Sequence, residues 1–393
     1  MTDIGGLVEP GFEGVREAFA DNFAERGEVG AGCSVYVHGH KVVDLWGGVK
    51  DRKTGEPYDE DTLQLVFSTT KGATAACANL LAQRGQLDVD APVATYWPEF
   101  AAAGKGDIPV RWLLCHKAGL PVVDADLSLE EVLAWDPIVE ALAAQAPLWE
   151  PGTKHGYHAL TFGWLVGEGV KRITGRSLGT YFAEEIAAPL GLELWIGLPE
   201  DQQHRVARLV AAGAPKDPAM VELMMQFMGP DTLLGRALGG PGGIFTANGV
   251  FNRPDVWTAE VPAANGITNA RSLARFYAGL AGTVEDGPAE PILTADQVAQ
   301  ASQTQTTGAD LVLFVESTIG LGFFTASEAA RFGGPASFGH TGAGGSVGFT
   351  DPENGIGFGY VMNRMMQSLT GDPRHSALIA AVYDAIGVKP TYV

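Results

Sequence analysis

The sequence predicts an α+β fold: one central antiparallel sheet built from both ends of the chain, flanked by helices, with a mainly helical lobe inserted between the ends. Three observations lead there. Residues 33–37 and 42–46 are short apolar runs on either side of His38-Gly39-His40-Lys41, the pattern of a β-hairpin. Residues 346–350 and 357–362 flank Asp351-Pro352-Glu353-Asn354-Gly355, whose Pro and Asn-Gly mark the turn of a second hairpin. Between about Gln86 and Gly282 strand signals thin out and helical periodicity dominates, broken by Gly/Pro clusters. The expected organisation is a discontinuous sheet unit of residues 1–85 and 283–393 and a helical unit of residues 86–282. Together they form one unit over about 10–386, with a cleft between the lobes.

Each element follows from its pattern. Residues 13–26 carry Val15, Phe19 and Phe23 at i, i+4 and i+8, so a first helix docks on the core by one face. Thr62-Leu63-Gln64-Leu65-Val66-Phe67 is a mostly apolar extended run, and Gly72 to Leu81 is an Ala/Leu-rich helix. Residues 88–98 read as a connector into the helical block, where 129–142, 157–174, 178–188 and 272–280 have helical patterns. Gly239-Gly240-Pro241-Gly242-Gly243 is a loop that allows close backbone approach. Beyond about Gln303 the extended pattern returns with 321–325 and the second hairpin, and 374–386 closes the chain as an amphipathic helix.

Composition bounds the function. A chain of 393 residues, 46% of them apolar, buries a substantial core. A formal charge of −20 argues against nucleic acid and anionic membranes as partners. Cys33, Cys77 and Cys115 are odd in number and set in apolar surroundings, which reads as buried free thiols in a reducing compartment. The start has no basic and apolar leader and no run of about 18 apolar residues occurs, so the expectation is a cytoplasmic protein without a membrane partner. His38 and His40 have no further ligands at metal spacing, and no phosphate-cradling glycine motif follows a strand, so neither a metal nor an organic cofactor is expected.

Chemistry is expected at Ser68-Thr69-Thr70-Lys71. The change from an extended run to a helix puts Ser68 at a helix N-terminus, and the i, i+3 spacing puts Lys71 on its face. A serine hydroxyl becomes a nucleophile when a base takes its proton, and a lysine is such a base once burial or a neighbouring charge lowers its pKa. The helix end adds a partial positive charge and a free N–H for an oxyanion. A Ser-x-x-Lys tetrapeptide occurs by chance about once in a chain this long, and Ser68 as a plain cap with Lys71 as a solvated charge is the alternative reading.

Two further patterns favour catalysis. Pro151-Gly152-Thr153-Lys154-His155-Gly156-Tyr157-His158 places a tyrosine at a helix entrance, and Gly339-His340-Thr341-Gly342-Ala343-Gly344-Gly345-Ser346 precedes the last hairpin. With Ser68-x-x-Lys71, these resemble the three ordered signature elements of the class C β-lactamase and penicillin-binding-protein superfamily, and more particularly its esterase branch, the family VIII carboxylesterases. Leu113-Leu114-Cys115-His116-Lys117-Ala118-Gly119-Leu120 and Arg84-Gly85-Gln86-Leu87-Asp88 match as well. The resemblance implies a β-lactamase/transpeptidase-like fold and a serine hydrolase acting on small-molecule carboxylic esters with small to medium acyl groups. It makes Ser68 the acylated nucleophile, Lys71 its base partner, Tyr157 the proton relay and activator of the deacylating water. The backbone N–H groups of Ser68 and Ala343 become the oxyanion hole. His340-Thr341-Gly342 occupies the substrate-binding Lys-Thr-Gly strand, with His340 a departure, as is Ala159 where the lactamases have Asn. A cationic Lys71 beside Tyr157 would lower the phenol's pKa and make phenolate the base. His116 and His158 read as structural.

Gly344-Gly345-Ser346-Val347-Gly348 satisfies the nucleophile-elbow pattern, but a strand follows it where an elbow requires a helix, and only His375 remains for a triad. Ser346 is therefore read as a strand start. Amidase, D-aminopeptidase, β-lactamase or acyltransferase activity at the same site stay open, as do an inactive binding homologue and a homo-oligomer.

Overall fold

A computed structural model describes residues 2–213, 217–366 and 371–393. Its central sheet is antiparallel throughout. Label the strands Ile4–Val8 β1, Gly30–Val37 β2, His40–Asp51 β3, Thr306–Ala309 β4, Glu316–Ile319 β5, Phe324–Thr325 β6, Phe338–Thr341 β7, Val347–Asp351 β8 and Ile356–Met362 β9. Their spatial order is β1-β3-β2-β9-β8-β7-β6-β5-β4, with the two-residue Glu56–Pro57 pairing on β3. The chain ends meet where β2 pairs β9 from Ala31 against Met362 to Val37 against Ile356. Both expected hairpins are present, β2/β3 and β8/β9.

Both faces of the sheet are covered, and β9 shows why. In Ile356-Gly357-Phe358-Gly359-Tyr360 the large residues alternate with glycines, so they fall on opposite faces. Ile356, Phe358 and Tyr360 join Val15, Phe19, Leu378 and Val382 in a core under the helices Glu13–Ala24 and Pro373–Ala385. On the other face the helix Ala270–Ala281 lies directly on the strand. A Cβ on Gly357 would stand 2.5 Å from that of Ala278, and one on Gly359 2.6 Å from the carbonyl oxygen of Ala270. Only glycine permits that approach.

The inserted block surrounds the helix Thr70–Gln83, whose residues from Thr70 to Leu81 are all buried, packed against Thr161–Thr174 and Leu178–Phe182. Helix Ala270–Ala281 thus lies on the sheet and Thr70–Gln83 among helices, the reverse of their places in the 86–282 division. We propose the same two units with these two helices exchanged.

Several elements differ from the sequence reading. The 129–142 pattern is two helices, Leu129–Leu133 and Asp136–Ala144, broken at Trp135 with φ 73°, where the indole donates to Glu168 at 2.7 Å. The expected 157–174 helix begins only at Thr161, because the N–H of Tyr157 goes to Asp310 and that of His158 to His116. Of 321–325 only Phe324–Thr325 is strand, and β1, β4 and β5 were not anticipated. The three cysteines are buried and free. Among the described residues no helix is long and apolar enough to cross a membrane.

Candidate active site

The turn that carries Ser68 is held in place by its neighbours. Val66 donates to Gly266 O at 2.9 Å, Phe67 follows with φ 46°, and Phe67–Thr69 forms a 3₁₀ turn that runs into the helix Thr70–Gln83. A left-handed φ on a bulky residue costs about 1–3 kcal/mol and survives only where packing enforces it. Here the ring packs edge-on to Phe251 at 4.9 Å between centroids. The conformation turns Ser68 out of the core, so that it is part-exposed beside a buried Thr69 and a buried Lys71.

Lys71 is 0% exposed. Its Nζ lies 3.1 Å from Ser68 Oγ, 2.7 Å from Ala159 O and 3.1 Å from Ala263 O. It also stands 4.7 Å from the ring centre of Tyr157. Burial pushes its pKa well below the ordinary lysine value. Burial also raises the Tyr157 phenol, while its contact with the Ser68 side chain pulls the other way and Asp310 adds to the rise. Burial works against the charged form of both groups, pushing the Lys71 amine toward its neutral state and holding the Tyr157 phenol toward its own.

Tyr157 is aimed by its backbone. Oδ1 of the buried Asp310 accepts the N–H groups of Tyr157 at 3.0 Å, Val312 at 2.8 Å and Leu313 at 2.9 Å. His116 accepts the N–H of His158 at Nδ1, and His158 accepts that of Leu120 at Nε2 while donating from Nδ1 to Gly156 O. Both histidines are bracing groups, as expected. Asp310 was missed, and so were the carbonyls of Ala159 and Ala263.

Thr341 ends β7, and Gly342 and Ala343 follow it beside Ser68. A Cβ on Gly342 would lie 2.2 Å from Val66 O and from Ser346 Oγ, so glycine is needed for the loop to reach the Ser68 turn. Ser346 is 0% exposed and donates to Val66 O at 2.8 Å, with Thr69 Oγ1 at 3.1 Å; it ties the loop down and faces no cleft. His340 is buried behind the site, 4.5 Å from the Phe324 ring and 6.0 Å from that of Tyr157, with Nδ1 2.6 Å from Thr341 O. Burial first, and the Lys71 charge second, push its pKa down to about 3, so its ring is neutral.

Two cavities meet at Ser68. One of about 50 Å³ is lined by Tyr157, Thr341 and Gly342 among others, and one of about 770 Å³ opens on the other side; Ser68, Leu238 and Ala343 border both. His340 borders neither. His38 and His40 are remote from both, His40 standing at the surface 3.3 Å from Glu285. Among the described residues no group of three or more His, Cys, Asp or Glu is placed to hold a metal.

Comparisons with known proteins agree on one relationship. The Beta-lactamase family model matches residues 15–381. Esterase/beta-lactamase LipL of Mycobacterium tuberculosis is 38% identical over 380 residues, covering 93% of this chain and 84% of the relative. The crystal structure of a family VIII carboxylesterase superposes with TM-score 0.86 at 38% identity, over 98% of this chain and 100% of the other. EstA from Arthrobacter nitroguajacolicus Rue61a gives TM-score 0.86 at 34% identity, over 98% and 99%.

Proposed function

The chain belongs to the Beta-lactamase family and is a serine hydrolase, and from that premise we propose that it cleaves carboxylic esters through an acyl-enzyme on Ser68. The observation that carries the reading is the surroundings of Lys71. A neutral amine has two N–H groups and one lone pair. The carbonyls of Ala159 and Ala263, at 2.7 and 3.1 Å, take the two N–H groups, and the lone pair is left for the Ser68 hydroxyl at 3.1 Å.

Ser68 Oγ attacks the ester carbonyl carbon as its proton passes to Lys71. The ammonium that forms gains a third donor for Ser68 while the two carbonyls stabilise its charge. The backbone N–H groups of Ser68 and Ala343 receive the oxyanion, a contribution worth about 10²- to 10³-fold for one donor. Collapse expels the alkoxide, which takes a proton from Tyr157 as Tyr157 is resupplied by Lys71. Water then attacks the acyl carbon as its proton passes to the Tyr157–Lys71 pair, and collapse breaks the bond from Ser68 Oγ to the acyl group, the pair returning that proton to Oγ as the acid leaves. A general base of this kind is worth about 10²- to 10⁴-fold. Names of relatives support the substrate class: LipL is called an esterase/beta-lactamase, and the superposed structure is a carboxylesterase.

The test is incubation with a fluorophosphonate followed by intact mass and peptide mapping, beside turnover of p-nitrophenyl acetate and butyrate. The adduct is expected on Ser68. Ser68→Ala should abolish both labelling and turnover, whereas Ser346→Ala should leave the label where it was. Recovery of the adduct on Ser346 overturns the reading.

A further inference from the structure

We propose that the 770 Å³ cavity is an acyl-chain chamber, so that the preferred substrates are esters of medium to long apolar acids with small alcohols; this rests on the ester-hydrolase reading above. Among the described residues, Ser68 is the only polar side chain on the cavity wall. The remainder is apolar to an unusual degree of uniformity: Met220, Met224, Met225, Met228, Met365 and Met366 line it, six of the chain's eight methionines. Unbranched thioethers repack at little cost around guests of varied shape, which suits a flexible hydrocarbon chain. Among the described residues, the side chains of this wall other than Ser68 carry no donor or acceptor for an amide or a charge, and burying either there without a partner is costly.

Four of those methionines belong to one helix, Pro218–Met228, which has no buried residue. Met220 and Met225 are 51% and 56% exposed, with Leu223 and Phe227 also above 40%. The helix is fixed at its start by Asp217 capping Ala219 N and at its end by Phe227 edge-on to Phe314. A protein of this charge that leaves such a patch uncovered at the mouth of its nucleophile has apolar area to offer a ligand.

Tyr157 decides which half of the ester enters. It borders only the smaller cavity. As the group that protonates the departing oxygen, it places the alcohol on its own side, in about 50 Å³. The acyl group then extends from the Ser68–Ala343 junction into the methionine chamber.

Two measurements test this on the full-length protein. In a series of methyl esters from acetate to octanoate, each below its micelle-forming concentration, kcat/KM should rise about two- to fourfold per added methylene. Of the isomers methyl octanoate and heptyl acetate, the octanoate should be the better substrate by at least about tenfold. The double variant Met224→Gln with Met225→Gln keeps side-chain length on an exposed helix and should lower the octanoate-to-acetate ratio about tenfold, and Met224→Leu with Met225→Leu should restore it. If Ser68 is labelled and acetate turns over but the chain-length profile is flat, or heptyl acetate wins, or the glutamine pair leaves the ratio unchanged, the chamber is overturned while the hydrolase reading stands. Absence of both labelling and ester turnover overturns both.

Discussion

Arg374, from the first turn of the last helix, donates from Nη2 to the carbonyl oxygen of Gly344 at 2.6 Å, one residue beyond the Ala343 amide assigned to the oxyanion. The same guanidinium is 0% exposed and pairs with Glu28 at 3.1 Å and Asp372 at 2.6 Å. His375 adds a contact from Nδ1 to Gly345 O at 3.0 Å. The loop behind Ser68 is thus fastened from the chain's far end, by groups that border neither cavity at Ser68.

Removing that fastening has two separable effects. Arg374→Met strands two buried carboxylates and should cost about 3–5 kcal/mol in urea unfolding. Double replacement with Glu28→Gln should recover part of the stability, since one stranded charge is gone, but none of the loop anchor. The double variant should therefore keep a kcat for p-nitrophenyl butyrate reduced by about tenfold or more at near-normal KM. Full recovery of kcat along with stability would mean that Arg374 supports the fold and not the loop.

Lys71 makes a pH signature. An unfolded lysine titrates near 10.4, while burial holds the native one well below. Between those two values the unfolded chain carries the proton and the native protein does not, so native stability rises with pH across that window by up to about 1.4 kcal/mol per unit. Lys71→Met abolishes this dependence. The variant's stability relative to the parent should be greatest at the acid end of that window and shrink as pH rises through it. The carbonyls of Ala159 and Ala263, left unpaired, shift the whole comparison by a constant and do not alter its slope. Parallel pH profiles for the two proteins would place an ionised lysine in the native site.

These cases show what the sequence could and could not display. Ser68 and Lys71 were legible because the i, i+3 spacing on a helix fixes a side-chain relationship locally, whereas Tyr157 was singled out by the family resemblance, the helix expected to start at it beginning only at Thr161. The partners of Lys71 were hidden, since Ala159 and Ala263 act through carbonyls that every residue possesses. Asp310 and Arg374 act on backbone 153 and 30 residues away, at Tyr157 and Gly344. Only the folded chain reveals such distances. In the fold, both hairpins had alternating patterns and turns, whereas Ile4-Gly5-Gly6-Leu7-Val8 has too little β-branched content to signal a strand and is one through pairing with β3. The helix Pro218–Met228 carries Glu222 and Gln226 on one face, a pattern that would bury the apolar remainder, yet none of its residues is buried in this protein.

Lys71 and Tyr157 should behave as one proton-handling unit. Lys71→Ala and Tyr157→Phe are each expected to lower kcat by about 10² or more, with the double variant little worse than the poorer single one. Costs that multiply in full would assign the two groups to independent steps.

The last expectation concerns β-lactams. In the lactamase pattern that the sequence resembles, the lysine of Lys-Thr-Gly and the asparagine after the tyrosine engage the antibiotic's carboxylate and side-chain amide. Here those positions hold His340 and Ala159. A charge-assisted hydrogen bond lost costs about 1.5–3 kcal/mol, roughly 10- to 150-fold in affinity. His340 cannot replace the cation, because burial holds its pKa at about 3 and its Nδ1 is engaged with Thr341 O. Ala159 contributes its carbonyl to Lys71 and presents only a methyl as side chain. A neutral ester forfeits neither contact, so kcat/KM for p-nitrophenyl butyrate should exceed that for nitrocefin by at least about 10²-fold at one pH and ionic strength. The ratio should also be insensitive to His340: a histidine with pKa near 3 stays neutral from pH 8 to pH 6, and nitrocefin should gain nothing on the ester over that range. A nitrocefin value equal to the ester's would reject the esterase preference. A relative gain for nitrocefin as pH falls to 6 would mean that His340 takes up a proton there and binds the carboxylate, against the burial that the structure gives it.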